Sequence, residues 1–119
     1  MRTAICIGLS MMLAGCVTAQ RQESPEQLKA RSEQATAACR AQPLTSYVAR
    51  AQCLNDAAMI AASTSANPDL LQRALAARLL VAQRVDAKQL TPEQGAKEYA
   101  RTESELSAEA QKRQAANGE

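Results

Sequence analysis

Three short segments of this sequence have the composition of a helix N-terminus, and they divide most of the chain into helical lengths. The segments SPEQ (24–27) and TPEQ (91–94) place a capping hydroxyl before a proline and a glutamine three residues after the cap. NPDL (67–70) is a variant of the same order. Because proline fits the first helical position and glutamine completes a capping box, each segment predicts the start of a helix.

The apolar residues after these starts recur every three or four positions, as in amphipathic helices. The spacing predicts helices over 25–41, from 45 or 46 to 63, over 68–88 and over 92–115. Pro43 ends the first helix, because the residue before a proline is pushed out of the α region. No segment alternates as a strand, and alanine is a strong helix former. The predicted fold is all-α: a small four-helix bundle of antiparallel helical hairpins, with the third helix at its centre.

The N-terminal segment has a different pattern. Arg2 is followed by a short apolar run that ends in Leu13-Ala14-Gly15-Cys16. The run is shorter than the roughly 20 residues of a membrane-spanning helix, and a basic residue before it is typical of a signal peptide. The last four residues resemble the lipobox of bacterial lipoproteins, which implies cleavage before Cys16 and a diacylglycerol and N-acyl chain on that residue. The alternative is an ordinary secretory signal with an incidental cysteine.

The resemblance also implies a location and a division of the chain. More than one acyl chain anchors a protein stably to a membrane. Val17 stands where Asp would retain a lipoprotein at the inner membrane. We therefore expect the inner leaflet of the outer membrane, facing the periplasm. Residues 1–15 are then a signal peptide, 16–24 a lipidated tether, 25–116 the helical domain and 117–119 a frayed C-terminus.

Two cysteines remain for the folded domain, Cys39 and Cys53. An even pair in an oxidising compartment predicts a disulfide. The two lie equally far from position 46, so an antiparallel hairpin turning there places them at one level. Closing a loop of about 15 residues stabilises a fold by about 3 kcal/mol. Without His or further Cys they make a poor zinc site, and the alternative is two buried thiols.

The composition excludes several function classes. The chain has no His, which rules out Ser-His and Cys-His nucleophiles and His-containing metal sites. Once Arg2 is removed with the signal, 13 of the 14 basic residues face 12 acidic ones, so no basic stripe for nucleic acid arises. Acidic residues of the last helix alternate with basic ones, as in Glu109 and Arg113, which is typical of a solvated face. We expect no enzyme, no catalytic residues, no metal and no cofactor.

The remaining expectation is a non-catalytic interaction or structural module that binds membrane lipid through Cys16 and an envelope protein as partner. The chain is similar to the small helical lipoproteins of Gram-negative envelopes. Its architecture is also similar to that of the pilotins of secretion systems, which implies a groove for an amphipathic helix. The alternative is a carrier or inhibitor of a small ligand, which requires an aromatic-lined pocket. The chain has only two tyrosines for such a pocket.

Leu80 is a candidate partner contact. On a helical wheel it points about 100° or more away from the other large apolar residues of the third helix. Arg73 and Arg84 lie on the same side. Because single exposed leucines are common on protein surfaces, the alternative is that Leu80 has no partner.

Arg78 falls in the middle of the apolar face of the third helix. Glu103 similarly interrupts the apolar stripe of the fourth helix. If these helices form an antiparallel hairpin turning at 89–91, residues whose numbers sum to about 181 face each other, which places Arg78 opposite Glu103. We therefore predict an Arg78–Glu103 salt bridge that fixes the helix register, since a buried charge needs a partner. The alternative is that Arg78 extends its aliphatic stem towards solvent.

Overall fold

Four α-helices make up most of residues 21–118, the part of the chain that the computed structural model describes. They are α1 (Pro25–Ala41), α2 (Tyr47–Met59), α3 (Pro68–Asp86) and α4 (Pro92–Asn117), with a 3-10 turn at Ala62–Thr64. No strand occurs within 21–118. The all-α prediction with four helices is confirmed.

The helix starts follow from local side-chain chemistry. Ser24 and Thr91 each form a complete capping box with the glutamine three residues on. Ser46 caps α2, and its hydroxyl accepts a hydrogen bond from the Ala49 N–H at 2.9 Å. Asn67 makes no side-chain cap bond to α3. The predicted starts are therefore correct, although only two of the three proline segments use a capping box.

Two helix ends lie earlier than the sequence predicts. α2 ends at Met59 rather than at 63, because the Thr64 hydroxyl donates to the Ala61 carbonyl at 2.7 Å and tightens the chain into a 3-10 turn. α3 ends at Asp86 rather than at 88. Lys88 has φ 61°, and the Gln89 N–H donates back to the Arg84 carbonyl at 2.9 Å. This is a Schellman motif with lysine at the left-handed position.

The helices are arranged in chain order: α1 packs on α2, α2 on α3, and α3 on α4. α1 and α4 therefore form the two edges. A disulfide between Cys39 and Cys53 joins α1 to α2 with a Cα–Cα distance of 5.8 Å, as predicted. The Ser32 hydroxyl adds a hydrogen bond to the Ala57 carbonyl of α2 at 2.8 Å. The result is an open helical bundle.

Most of the core lies on α3, which confirms its central position. Its buried residues are Leu70, Leu75, Val81, Ala82 and Val85. The other helices bury mainly small side chains, together with Cys39 and Leu106. Short side chains allow close helix approach but bury little apolar surface each, so the core is thin.

The α3–α4 pair is an antiparallel hairpin held close at one end and ion-paired along its length. A Cβ on Gly95 would lie 2.7 Å from Val85 Cγ2 and 3.0 Å from Val81 Cγ1, so only glycine permits this approach. The interhelical ion pairs are Arg84–Glu98, Arg73–Glu109 and Asp69–Arg113. In each pair the residue numbers sum to 182, within one of the value predicted for the hairpin.

Candidate functional site

An open groove runs over the C-terminal half of α3, between α2 and α4. Its floor is apolar and buried, formed by Val81, Ala82 and Val85 of α3 with Ala51 of α2 and Gly95 of α4. The cavity volume is about 360 Å³, which lies within the range of protein ligand clefts. Because the helices pack in chain order, no further helix of residues 21–118 closes the cleft above α3 here.

Both tyrosines of the chain line this groove. Tyr47 is the first residue of α2, and Tyr99 lies on α4. Burial raises the pKa of the Tyr99 hydroxyl, the neighbouring Glu103 carboxylate adds to the effect and Arg78 opposes it. The phenol therefore keeps its proton at neutral pH and can donate a hydrogen bond. The sequence has no Phe or Trp, so all of its aromatic side chains lie at this site.

Three arginines from three helices also line the groove: Arg40 of α1, Arg50 of α2 and Arg78 of α3. Glu103 is the single acidic lining residue. None of the three arginines forms an ion pair with any residue of 21–118. The arginines that do form ion pairs lie outside the groove and are Arg31, Arg73, Arg84 and Arg113. The groove thus combines an apolar floor with an electropositive rim.

The predicted Arg78–Glu103 salt bridge is not formed among the described residues. Arg78 instead donates to Asn55 Oδ1 of α2 at 2.9 Å and lies over the Tyr99 ring, 5.2 Å from its centroid. Tyr99 lies one helical turn before Glu103 on α4. The guanidinium packs on the Tyr99 ring instead of pairing with the Glu103 carboxylate. Asn55 also donates to the Leu75 carbonyl at 3.0 Å, which fixes its amide. The prediction placed the side chain on the correct face but gave it the wrong partner.

The other predicted contact residues lie outside the groove. Leu80 is exposed, with 56% of its surface accessible. Arg73 binds Glu109 at 2.8 Å and Arg84 binds Glu98 at 2.5 Å, so both arginines join α3 to α4. The Leu80 surface stays a prediction, since exposure alone does not identify a partner.

A second cluster of charges lies at the opposite end of the α3–α4 hairpin. Arg113 makes two hydrogen bonds of 2.8 Å to the Asp69 carboxylate and one of 2.7 Å to Glu109. These bonds lower the pKa of Asp69, and Arg73 and Arg113 together lower that of Glu109. All of these side chains form ion pairs with one another, so we assign the cluster a structural role.

The described residues hold no group of three or more His, Cys, Asp and Glu side chains suited to a metal ion. Nor does any helix within 21–118 have the length and hydropathy needed to cross a membrane. Cys16, the predicted lipidation site, lies outside the described residues. The pilotin resemblance implied a groove, but residue spacing did not locate it, because Tyr47 and Tyr99 each look like ordinary members of a buried helical stripe.

Comparison with known proteins leaves the site to be interpreted from its own residues. No family model, curated protein or solved structure matches this chain. The groove is consequently the feature of residues 21–118 on which a functional interpretation rests.

Proposed function

We propose that this protein is a lipid-anchored module of the outer membrane that faces the periplasm and binds a partner protein without catalysing a reaction. The groove is the observation that carries the proposal. It is an open cleft with an apolar floor, and both aromatic side chains of the chain line it. Exposed apolar clefts rimmed by polar groups are typical of interaction sites.

The dimensions of the groove suit a short amphipathic helix. From Tyr47 to Leu54 the α2 wall spans seven residues, about 10 Å at the helical rise. A helix that docks through positions i, i+3, i+4 and i+7 covers the same length. The groove therefore supports a two-turn apolar stripe as its occupant.

The position of the groove fits an anchor at the N-terminus. The tether enters α1 at Pro25, whereas Arg40 lines the groove from the other end of α1. The 17 residues of α1 span about 25 Å. With Cys16 acylated, the groove then lies at the end of α1 that is farther from the tether, where a periplasmic partner has access.

A pilotin-like chaperone is the narrower form of this proposal, with the amphipathic helix supplied by a secretion-system protein. The shared architecture of lipobox, tether, helices and disulfide favours it. A carrier of a small envelope ligand is the second candidate, and the volume of about 360 Å³ and the two tyrosines favour it.

Site-specific photo-crosslinking distinguishes these candidates. A photoreactive amino acid replaces Ala96 in the groove wall, Leu80 on the separate α3 surface, or Ala30 on exposed α1 as the control. In intact cells of the native host we expect a protein adduct from Ala96 and none from Ala30. An adduct from Leu80 alone would move the interface to that surface. Absence of any protein adduct would contradict the proposal.

The anchor is tested separately by mass spectrometry of the membrane-extracted protein. We expect a mature N-terminus at Cys16 carrying acyl mass. A soluble product without acyl chains would contradict the lipoprotein part of the proposal and leave the groove part standing.

A further inference from the structure

We infer that the partner segment in the groove is acidic, an amphipathic helix with two carboxylates about two turns apart beside its apolar stripe. The inference rests on the proposed function and specifies the chemistry of its partner. It starts from the charges at the rim, where three arginines meet one carboxylate.

The arginines of the groove are not neutralised, in contrast to most others. Of residues 21–118, Glu103 is the one acid that lines the groove, and it forms no ion pair with any of the three. The whole chain has a formal net charge of only +2, so this local excess is not a consequence of a basic protein. Positive charge beside an open apolar cleft is complementary to an acidic amphipathic segment.

The positive charges lie at both ends of the groove. Asp86, at the end of α3, accepts hydrogen bonds from the Tyr47 and Val48 N–H groups at 3.0 and 2.9 Å, which places the α1–α2 turn beside that end. Arg40 lies next to this turn. Arg78 lies eight residues before Asp86, about 12 Å along α3. One compact anionic headgroup does not match two cationic ends, whereas carboxylates at i and i+7 or i+8 of a helix do.

Arg78 is held in position for this contact. Its Nη1 donates to Asn55 and its Cζ lies over the Tyr99 ring, so the guanidinium is ordered before a partner arrives. A guanidinium has five N–H donors, and four remain beyond the bond to Asn55. Such a group binds a carboxylate with little further loss of side-chain freedom. Arg78 therefore acts as the fixed end of the site and exposed Arg40 as its adaptable end.

Designed peptides test the inference on the full-length protein in detergent. The probes are helical peptides of about 14 residues, roughly four turns, with one leucine stripe and two Glu, two Gln or two Lys placed two turns apart. Exposed ion pairs change affinity about two- to fivefold each. We therefore expect the Glu peptide to bind about tenfold more tightly than the Gln peptide and the Lys peptide to bind most weakly. The Glu preference should disappear near 1 M NaCl, where the Debye length is about 3 Å.

Matched variants assign the preference to the groove. Arg40→Gln should reduce binding of the Glu peptide about two- to fivefold and leave the Gln peptide unaffected. Arg78→Lys keeps the charge but loses the fork geometry, and it should reduce binding similarly. Arg101→Gln changes an exposed arginine outside the groove and should have no effect. Circular dichroism of each variant verifies the fold.

Several results would overturn the inference. Equal binding of the Glu and Gln peptides is one, and a Glu preference that survives Arg40→Gln and Arg78→Lys is another. So is an Ala96 crosslink to a second copy of this chain, or copurification of a small anionic amphiphile in the groove. If Ala96 crosslinks to a protein segment without paired acids, the inference fails while the proposed function stands. If no protein crosslinks, the proposed function itself fails.

Discussion

Replacing Asp86 with alanine removes the carboxylate through which the end of α3 caps α2. Asp86 is the last residue of α3, and its two oxygens accept the backbone N–H groups of Tyr47 and Val48 at 3.0 and 2.9 Å. These are the first two N–H groups of α2, which no carbonyl within that helix can accept. Ser46 accepts the third, so α2 depends on α3 for its N-terminal cap.

The expected loss follows from these contacts. Two hydrogen bonds to a charged acceptor contribute about 1.5–3 kcal/mol each. Tyr47 and Val48 are half-buried, so their freed N–H groups can bond to water, which recovers part of the lost free energy. Removing a negative charge from the C-terminus of α3 also returns about 0.3–1 kcal/mol through the helix dipole. We expect a net destabilisation of about 2 kcal/mol, or about 8–16 °C in Tm for a domain of this size.

Thermal unfolding followed by circular dichroism measures the effect. Asp56→Ala is the matched control, because Asp56 also lies in the last turn of a helix but makes no hydrogen bond or ion pair within 21–118. Asp86→Asn should fall between the two, since an amide oxygen can accept only one of the two N–H groups. If Asp86→Ala melts within about 2 °C of Asp56→Ala, which corresponds to less than about 0.5 kcal/mol, the capping argument is refuted.

Three further expectations concern the helix ends and the α3–α4 contact. Gly95→Ala should destabilise by about 1 kcal/mol in urea unfolding, because overpacking two valines outweighs the gain in helix propensity, while Gly118→Ala, with ordinary contacts, should be neutral. Lys88→Gly should stabilise by about 0.5–1 kcal/mol in the same assay, since glycine adopts φ 61° without strain, and a loss of stability would contradict this. Because arginine hydrogen bonds lower the pKa of Asp69 and Glu109, their stabilisation should be complete above about pH 5 and be lost as the pH falls below about 4. Thermal melts across that range should show that the Tm of Glu109→Gln falls less steeply with decreasing pH than that of the unaltered protein. An unchanged pH dependence would show that this carboxylate does not contribute to acid destabilisation.

Several features that the sequence predicts correctly are local ones. Ser24 and Thr91 cap their helices through residues three positions away, and the Cys39–Cys53 pair follows from one short hairpin. Asp86 shows the opposite case. Its partners lie 38 and 39 residues earlier in the chain, so no local pattern indicates that it caps α2.

The position and lining of the groove could not be predicted from residue patterns for a related reason. The apolar stripes that include Tyr47 and Tyr99 are visible in the sequence, but a stripe does not indicate whether another helix covers it. Arg78 shows the same limit. The hairpin register brings it near Glu103, yet Asn55 on a third helix and the ring of Tyr99 occupy its guanidinium. Competition among three helices decides this contact, and a two-helix register contains no information about it.

The disulfide determines how mechanical tension passes through the domain. When the N-terminus is pulled, α1 can peel from α2 one turn at a time from Pro25, but the peeling stops at Cys39. Beyond that point the force crosses the sulfur–sulfur bond to Cys53 and bypasses the intervening loop. Residues 40–52 therefore carry no tension, and Tyr47 of the groove wall lies within them. Under the proposed function, a partner in the groove and a membrane attached to the tether could act on the same molecule while this part of the groove remains unstretched.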